Sequence, residues 1–155
     1  MIVLALDLGT RLGWALGADG MLASGVEDLA PQRMRRFESS GMKWLRLRGV
    51  LDKLHGQVPG GVSLVVLEEV RRHLGVDAAH AYGGALAVVS AWCEERKVPM
   101  TSTPVATIKK HATGKGNAKK EAMIEAAKAR GWLPADDNEA DAQWILDHAL
   151  SGGAA

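Results

Sequence analysis

The sequence predicts an α/β protein, a mixed sheet with helices on both faces. Two observations carry that prediction. Five short apolar runs, residues 2–7, 11–17, 21–26, 62–67 and 98–103, have the length of strands, and most are bounded by Gly, Pro or Asp. Longer stretches with helical spacing alternate with the later runs, so the order is strand, hairpin, helix, strand, helix, strand, then helices.

Five apolar residues in the first run, Ile2 to Leu6, lead straight into Asp7 and then Leu8-Gly9-Thr10. A carboxylate ending a buried strand is costly unless something cationic meets it. Asp before Gly-Thr also suits a turn, which gives Asp7 a second, purely structural reading. Residues 11–17 form the second strand, Asp19-Gly20 is a hairpin signal, and residues 21–26 return as the third. Pro31 opens a helical segment on which Met34, Phe37, Trp44, Leu51 and Leu54 recur, with Gly41 as a kink or break. Its other face is basic, through Arg33, Arg35, Arg36, Lys43, Arg46, Arg48 and Lys53. Such a face is either simply solvated or turned toward phosphates.

Pro59-Gly60-Gly61 ends that segment. Residues 62–67 are nearly all apolar, as in a strand buried on both faces, and they run directly into Glu68 and Glu69. This second strand ending in acid raises Asp7 above its turn reading. Residues 77–97 carry a helical stripe of Ala81, Ala85, Val88, Val89, Trp92 and Cys93, interrupted by Gly83-Gly84. Those small residues suit close packing against either the sheet or a second subunit. A strand at 98–103, a short helix at 104–112, a basic loop at 113–120 and a helix ending at Arg130-Gly131 follow. The loop lacks the spacing of a phosphate-binding P-loop. The last helix, 136–150, has Asp136 as N-cap and Glu139 three residues on, a capping-box pattern. That pattern leaves Asp141 unexplained, on one face with Asp137 and Asn138.

Length and charge bound the function classes. A chain of 155 residues suits one domain, expected over 1–150, with 151–155 as a loose tail. A net charge of +1 confines any nucleic-acid surface to a local patch. Cys93 stands alone, which excludes an intrachain disulfide and fits a reducing compartment. No run is long and apolar enough to span a membrane, and the first apolar run lacks the basic region of a signal peptide. A cytoplasmic protein is therefore expected, without a membrane partner.

Asp7, Glu68 and Asp141 thus sit at the ends of two strands and early in a late helix. Crowded carboxylates repel, and a hard divalent cation removes the repulsion. Acid clusters of this kind, with one or two such ions, serve phosphodiester cleavage. An acid cluster with a basic surface therefore points to metal-dependent hydrolysis of nucleic acid.

Four stretches in order carry a family resemblance. They are Ile2-Val3-Leu4-Ala5-Leu6-Asp7-Leu8-Gly9-Thr10, Val66-Leu67-Glu68-Glu69-Val70, Ile108-Lys109 with Thr113-Gly114-Lys115-Gly116, and Glu139-Ala140-Asp141-Ala142. Together they resemble the motifs of RuvC-type Holliday junction resolvases, most closely in look the phage-encoded members. The resemblance implies an RNase H-like fold with a mixed five-stranded sheet, a homodimer, Mg²⁺ or Mn²⁺, and paired nicks in four-way DNA junctions during recombination and repair. By motif, it makes Asp7, Glu68 and Asp141 metal ligands, and Lys109 and Lys120 the residues that hold or polarise the cleaved phosphate. Arg71, Arg72, Lys110, Lys115 and Lys119 are the further DNA contacts expected. Two positions depart from the family. Asn138 stands where a fourth acid is usual, so either Asp137 substitutes from one residue earlier or Asn138 binds as a neutral oxygen ligand. Arg71 stands where an aromatic is frequent, which favours phosphate contacts over base stacking.

Three rival readings have distinct signatures. The stretch Asp7-Leu8-Gly9-Thr10 also resembles the start of the phosphate loop of sugar-kinase and actin-like ATPases, which need two such domains where this chain has room for one. A nuclease acting on RNA–DNA hybrids or other branched DNA is separated by substrate competition. A non-catalytic junction-binding protein would bind without metal-dependent nicking.

Overall fold

The structure, a computed structural model, describes residues 1–73 and 75–153. Its sheet has the order β3-β2-β1-β4-β5. The strands are β1 (Val3–Asp7), β2 (Arg11–Gly17), β3 (Met21–Asp28), β4 (Leu64–Glu69) and β5 (Met100–Pro104). The first three form an antiparallel meander, and β4 and β5 run parallel to β1. The helices are α1 (Gly41–Gly56), α2 (Val76–Arg96), α3 (Val105–Thr113), α4 (Lys120–Ala129) and α5 (Asp137–His148).

Strand alternation sorts the core into two layers. Leu4 and Leu6 of β1 join Leu12, Leu16, Val65 and Leu67 under α1 and α2. Val3 and Ala5 join Ala15 and Val66 under α3, α4 and α5. Leu4, Leu6, Leu12, Leu47, Leu51 and Leu67 are each at most 1% exposed. Burying each contributes about 1.5–3 kcal/mol, which fixes the middle of the sheet as the rigid frame of the molecule.

The expected five-strand mixed sheet with helices on both faces is present, but several element limits differ. Pro31 does not open a helix. Residues 31–37 form successive turns, with Met34 N–H donating to Pro31 O and Phe37 N–H to Met34 O. Phe37 is 76% exposed, so the apolar stripe runs through Trp44, Leu47, Leu51 and Leu54, and Gly41 starts α1 rather than kinking it. The fourth strand begins two residues later than its apolar run and takes in both Glu68 and Glu69. Left-handed Lys97 and a Val98 N–H to Cys93 O bond close α2, delaying β5 to Met100. In α2 a Cβ on Gly84 would lie 2.5 Å from the Trp44 ring, so this glycine lets α1 and α2 approach closely. Gly83 has open space around it.

The start of α5 is pinned from three sides. Asp136 Oδ1 accepts from Glu139 N–H as the N-cap. Glu139 departs from the capping box: its carboxylate accepts from Ala135 N–H and from the Ser24 hydroxyl on β3. Gln143 Nε2 donates to the same hydroxyl. Beyond α5, residues 149–153 form a wide π-type turn, with the Ser151 hydroxyl donating to Asp147 O. The last two residues of the expected tail lie outside the described residues.

Candidate active site

The parallel pairing of β1 and β4 ends at Leu6 opposite Leu67, so Asp7 and Glu68 are the next neighbours at the carboxyl ends of the two strands. Alternation points both toward the layer of Val3, Ala5 and Val66, under α5. Asp141 lies between Ala140 and Ala142, both fully buried in that layer. All three acids are only partly buried, so the cluster keeps an opening to water.

Their electrostatics place the three within range of one another's charge. Burial, then the charges of Glu68, Asp141, Asp137 and Asp136, hold the Asp7 carboxyl well above the usual carboxylate range. Burial and Asp141 push Glu68 up to about 7, against the pull of Lys109. Burial and Asp137 push Asp141 up to about 6, against Lys109 and Lys120. Far apart along the chain, the three acids nonetheless lie within reach of one another's charge.

Two cations border the cluster. Lys109 reaches it from α3 and lowers both Glu68 and Asp141. Lys120, at the start of α4, pairs with Asp137 at 2.7 Å, and that hydrogen bond raises its own pKa. One residue before the variant position of the last motif, Asp137 adds its charge to Asp7 and Asp141. Asn138 instead donates to Asp136 Oδ2 at 3.4 Å.

Every ligand-type atom here is a carboxylate or amide oxygen, the donor set of a hard divalent cation. Among the described residues no three His, Cys, Asp or Glu side chains close into a ready cage. Such an open set of acids, raised by burial and by mutual repulsion, fits an ion that keeps several waters and takes few protein ligands, such as Mg²⁺.

The other expected contacts are placed less centrally. Arg71 leans on Glu69 at 2.8 Å, while Arg72, Lys110, Lys115 and Lys119 are exposed. Lys115 and Lys119 lie in the loop between α3 and α4, whose start is held by Thr113 Oγ1 donating to Lys109 O. His111 and Arg130 both bind Asp147, so His111 has a structural partner of its own.

Three contributors were not singled out from sequence. Gly13 lies opposite Asp7 in the β1–β2 register, and a Cβ there would sit 2.0 Å from Asn138 O. Only glycine lets the start of α5 come this close to the sheet; an isolated Gly inside a strand is the signal that could have found it. The Tyr82 hydroxyl donates to Glu68 O at 3.0 Å and holds the end of β4. Asp136, paired with Arg11 at 2.9 Å, adds negative charge to Asp7 and Asp141 beyond its capping role.

No family model matches the chain, and no curated protein matches it. Solved structures do. The chain is similar to Thermus thermophilus RuvC, with 27% identity, 98% of this chain and 95% of that one covered, and a TM-score of 0.74. A structure of T. thermophilus RuvC in complex with Holliday junction substrate matches with 28% identity, 99% and 96% coverage, and a TM-score of 0.78. The yeast mitochondrial Holliday junction resolvase shares the fold at 14% identity, covering 98% of this chain and 78% of that one, TM-score 0.66. The α/β fold is that of these RNase H-like resolvases.

Proposed function

We propose that this chain, which has the fold of RuvC-type Holliday junction resolvases and resembles them over nearly its whole length, is a divalent-metal-dependent endonuclease that nicks four-way DNA junctions. The observation that supports it most is the meeting of Asp7, Glu68 and Asp141 beside two lysines. Asp7, Glu68 and Asp141 would hold Mg²⁺ or Mn²⁺, with Asp137 as the further acid. Such an ion, when bound, supplies positive charge to a phosphodiester oxygen and acidifies an attacking water. Lys109 and Lys120 hold the phosphate against the acids and offset charge that develops on its oxygens. For Lys120 this means exchanging Asp137 for phosphate, an exchange that its 75% exposed side chain allows. The buried Ala140 and Ala142 and the Glu139–Ser24 bond fix α5, so Asp141 meets the phosphate without rearrangement.

A homodimer belongs to the same proposal, because a two-fold protein offers two equivalent sites to a symmetric junction. With Gly84 taken up by Trp44, α2 still exposes Gly83, Ala87 and Ala91 at four-residue spacing, and this is the face assigned to the second copy. Exposed Arg72, Lys110, Lys115 and Lys119 supply further phosphate contacts.

The test is a labelled four-way junction incubated with the protein, with and without Mg²⁺, beside an RNA–DNA hybrid and a flap. Paired nicks in the junction that need Mg²⁺ and vanish in Asp7→Asn, with junction binding retained, are the expected result. Junction binding without nicking in any divalent metal would leave a binding protein in its place. Preferred cleavage of the hybrid or flap would reassign the substrate.

A further inference from the structure

A second basic surface stands apart from Lys109 and Lys120. It is a concavity of about 440 Å³ bounded by Thr10 after β1, the turns of residues 31–40 and the first turns of α1. Its lining holds three cations, Arg35, Lys43 and Arg46, against one carboxylate, Glu38. Arg46 is satisfied, since it pairs with Glu38 and donates to Leu29 O at 3.0 Å. The other two cations keep their charge. Arg35 Nε donates to Ala30 O at 3.1 Å, which steadies the guanidinium without neutralising it. The Lys43 ammonium lies 4.4 Å from the centre of the Trp44 ring. Among the described residues neither has a carboxylate partner.

The helix adds charge of the same sign. The first turn of α1 contains no acid, and Ser40 makes no side-chain cap bond, so no side chain of the helix itself offsets its positive end at this cavity. By contrast, α5 carries Asp137 and Glu139 in its first turn. Thr10, Ser39 and Ser40 complete the lining. In a chain of net charge +1, this concentration of unmatched positive charge in one hollow is local, and it has the composition of a phosphate site.

We infer that this hollow binds a backbone phosphate of the nucleic-acid strand, one other than the phosphate at the acid cluster. The inference rests on the nucleic-acid reading given above. Thr10 follows Asp7 by three residues, so the two lie within about 11 Å along the chain. Duplex DNA carries one charge per about 1.7 Å of axis, so a strand lying against the acids presents further phosphates at this distance. Because α1 and α5 cover opposite faces of the sheet, that strand passes around the carboxyl ends of the central strands. Arg35 offers a planar fork to phosphate oxygens and Lys43 a point charge. The contact sets position and carries no sequence preference.

The experiment measures binding of a four-way junction and of a linear duplex over a range of salt, in EDTA, so that cleavage plays no part. The variants are Lys43→Gln alone and Arg35→Gln/Lys43→Gln. Lys53→Gln, at the far end of α1 where the lysine pairs with Glu27, serves as control. The double variant should bind the junction about tenfold more weakly at about 100 mM salt, and lose about 0.9 from the slope of log K against log salt, the value for one phosphate. The single variant should lose about half of that slope. Melting temperature should stay at its wild-type value. A wild-type slope in the double variant overturns the inference even where the protein nicks junctions normally. A reduced slope in a protein that never nicks would leave the phosphate hollow standing and remove the nuclease reading instead.

Discussion

Replacing Glu68 by Gln should make the metal-free protein more stable at alkaline pH while removing its activity. The Glu68 carboxyl titrates near 7 in the folded chain against an ordinary value of 4.5, mainly because it is buried and faces Asp141. Between those two values the native state holds a proton that the unfolded chain has released, so stability falls as pH rises. Below about pH 4.5 nothing is lost; above about pH 7 the whole penalty is present. A shift of this size corresponds to up to about 3 kcal/mol, at about 1.4 kcal/mol per pH unit. The glutamine amide cannot ionise, and among the described residues the Glu68 side chain makes no hydrogen bond whose loss would offset the gain. For a chain of this length the difference is up to about 6–12 °C in melting temperature. The assay is thermal unfolding of both proteins in EDTA at pH 4.5 and pH 8. The curves should nearly coincide at the lower pH and separate at the higher, with the variant melting later. Added Mg²⁺ should raise the wild type at pH 8 and leave the variant nearly unmoved. A variant that melts earlier than wild type at pH 8 without metal would refute the picture of repelling carboxylates.

The remaining expectations concern the groups around that cluster. Lys120→Ala should slow nicking about tenfold to a hundredfold, as loss of one charge-stabilising contact does, with little change in melting temperature because its pair with Asp137 is exposed. Unchanged single-turnover rates would contradict its role at the phosphate. Gly13→Ala places a Cβ 2.0 Å from Asn138 O, so it should cost about 1–3 kcal/mol and displace the start of α5. Thermal unfolding and junction nicking should both fall; an unaltered melting temperature would mean that α5 shifts freely there. Asp141→Asn should abolish nicking while keeping junction affinity, as gel shift and nicking assays on the same preparation would report.

Much of the architecture was legible because apolar runs of strand length are separated by unmistakable turn chemistry, as at Asp19-Gly20 and Pro59-Gly60-Gly61. The acids could be read for a similar reason: two buried runs ending in carboxylate, and an acid inside a helix beyond its cap. What failed was local. The spacing of Met34 and Phe37 mimics a helix, but neither residue finds a sheet to cover, and the chain there settles into turns. Glu139 matched a capping rule, but its carboxylate takes the N–H of Ala135 rather than that of Asp136, and its other oxygen binds Ser24, more than a hundred residues away. Gly13 was invisible as a site residue because its contribution is an absence of atoms, felt only once α5 is packed on β2. Likewise, no spacing rule brings Tyr82 to the carbonyl of Glu68.

The order in which the cluster is assembled has a consequence during synthesis. Asp7 and Glu68 emerge early and settle on neighbouring strands, but Asp141 arrives on the last α-helix, after every strand has been made. A nascent chain lacking that helix has two of the three acids and a sheet face that α3 and α4 cover only in part. The three acids are brought together only when translation has delivered α5 and the Gly13 notch has received it.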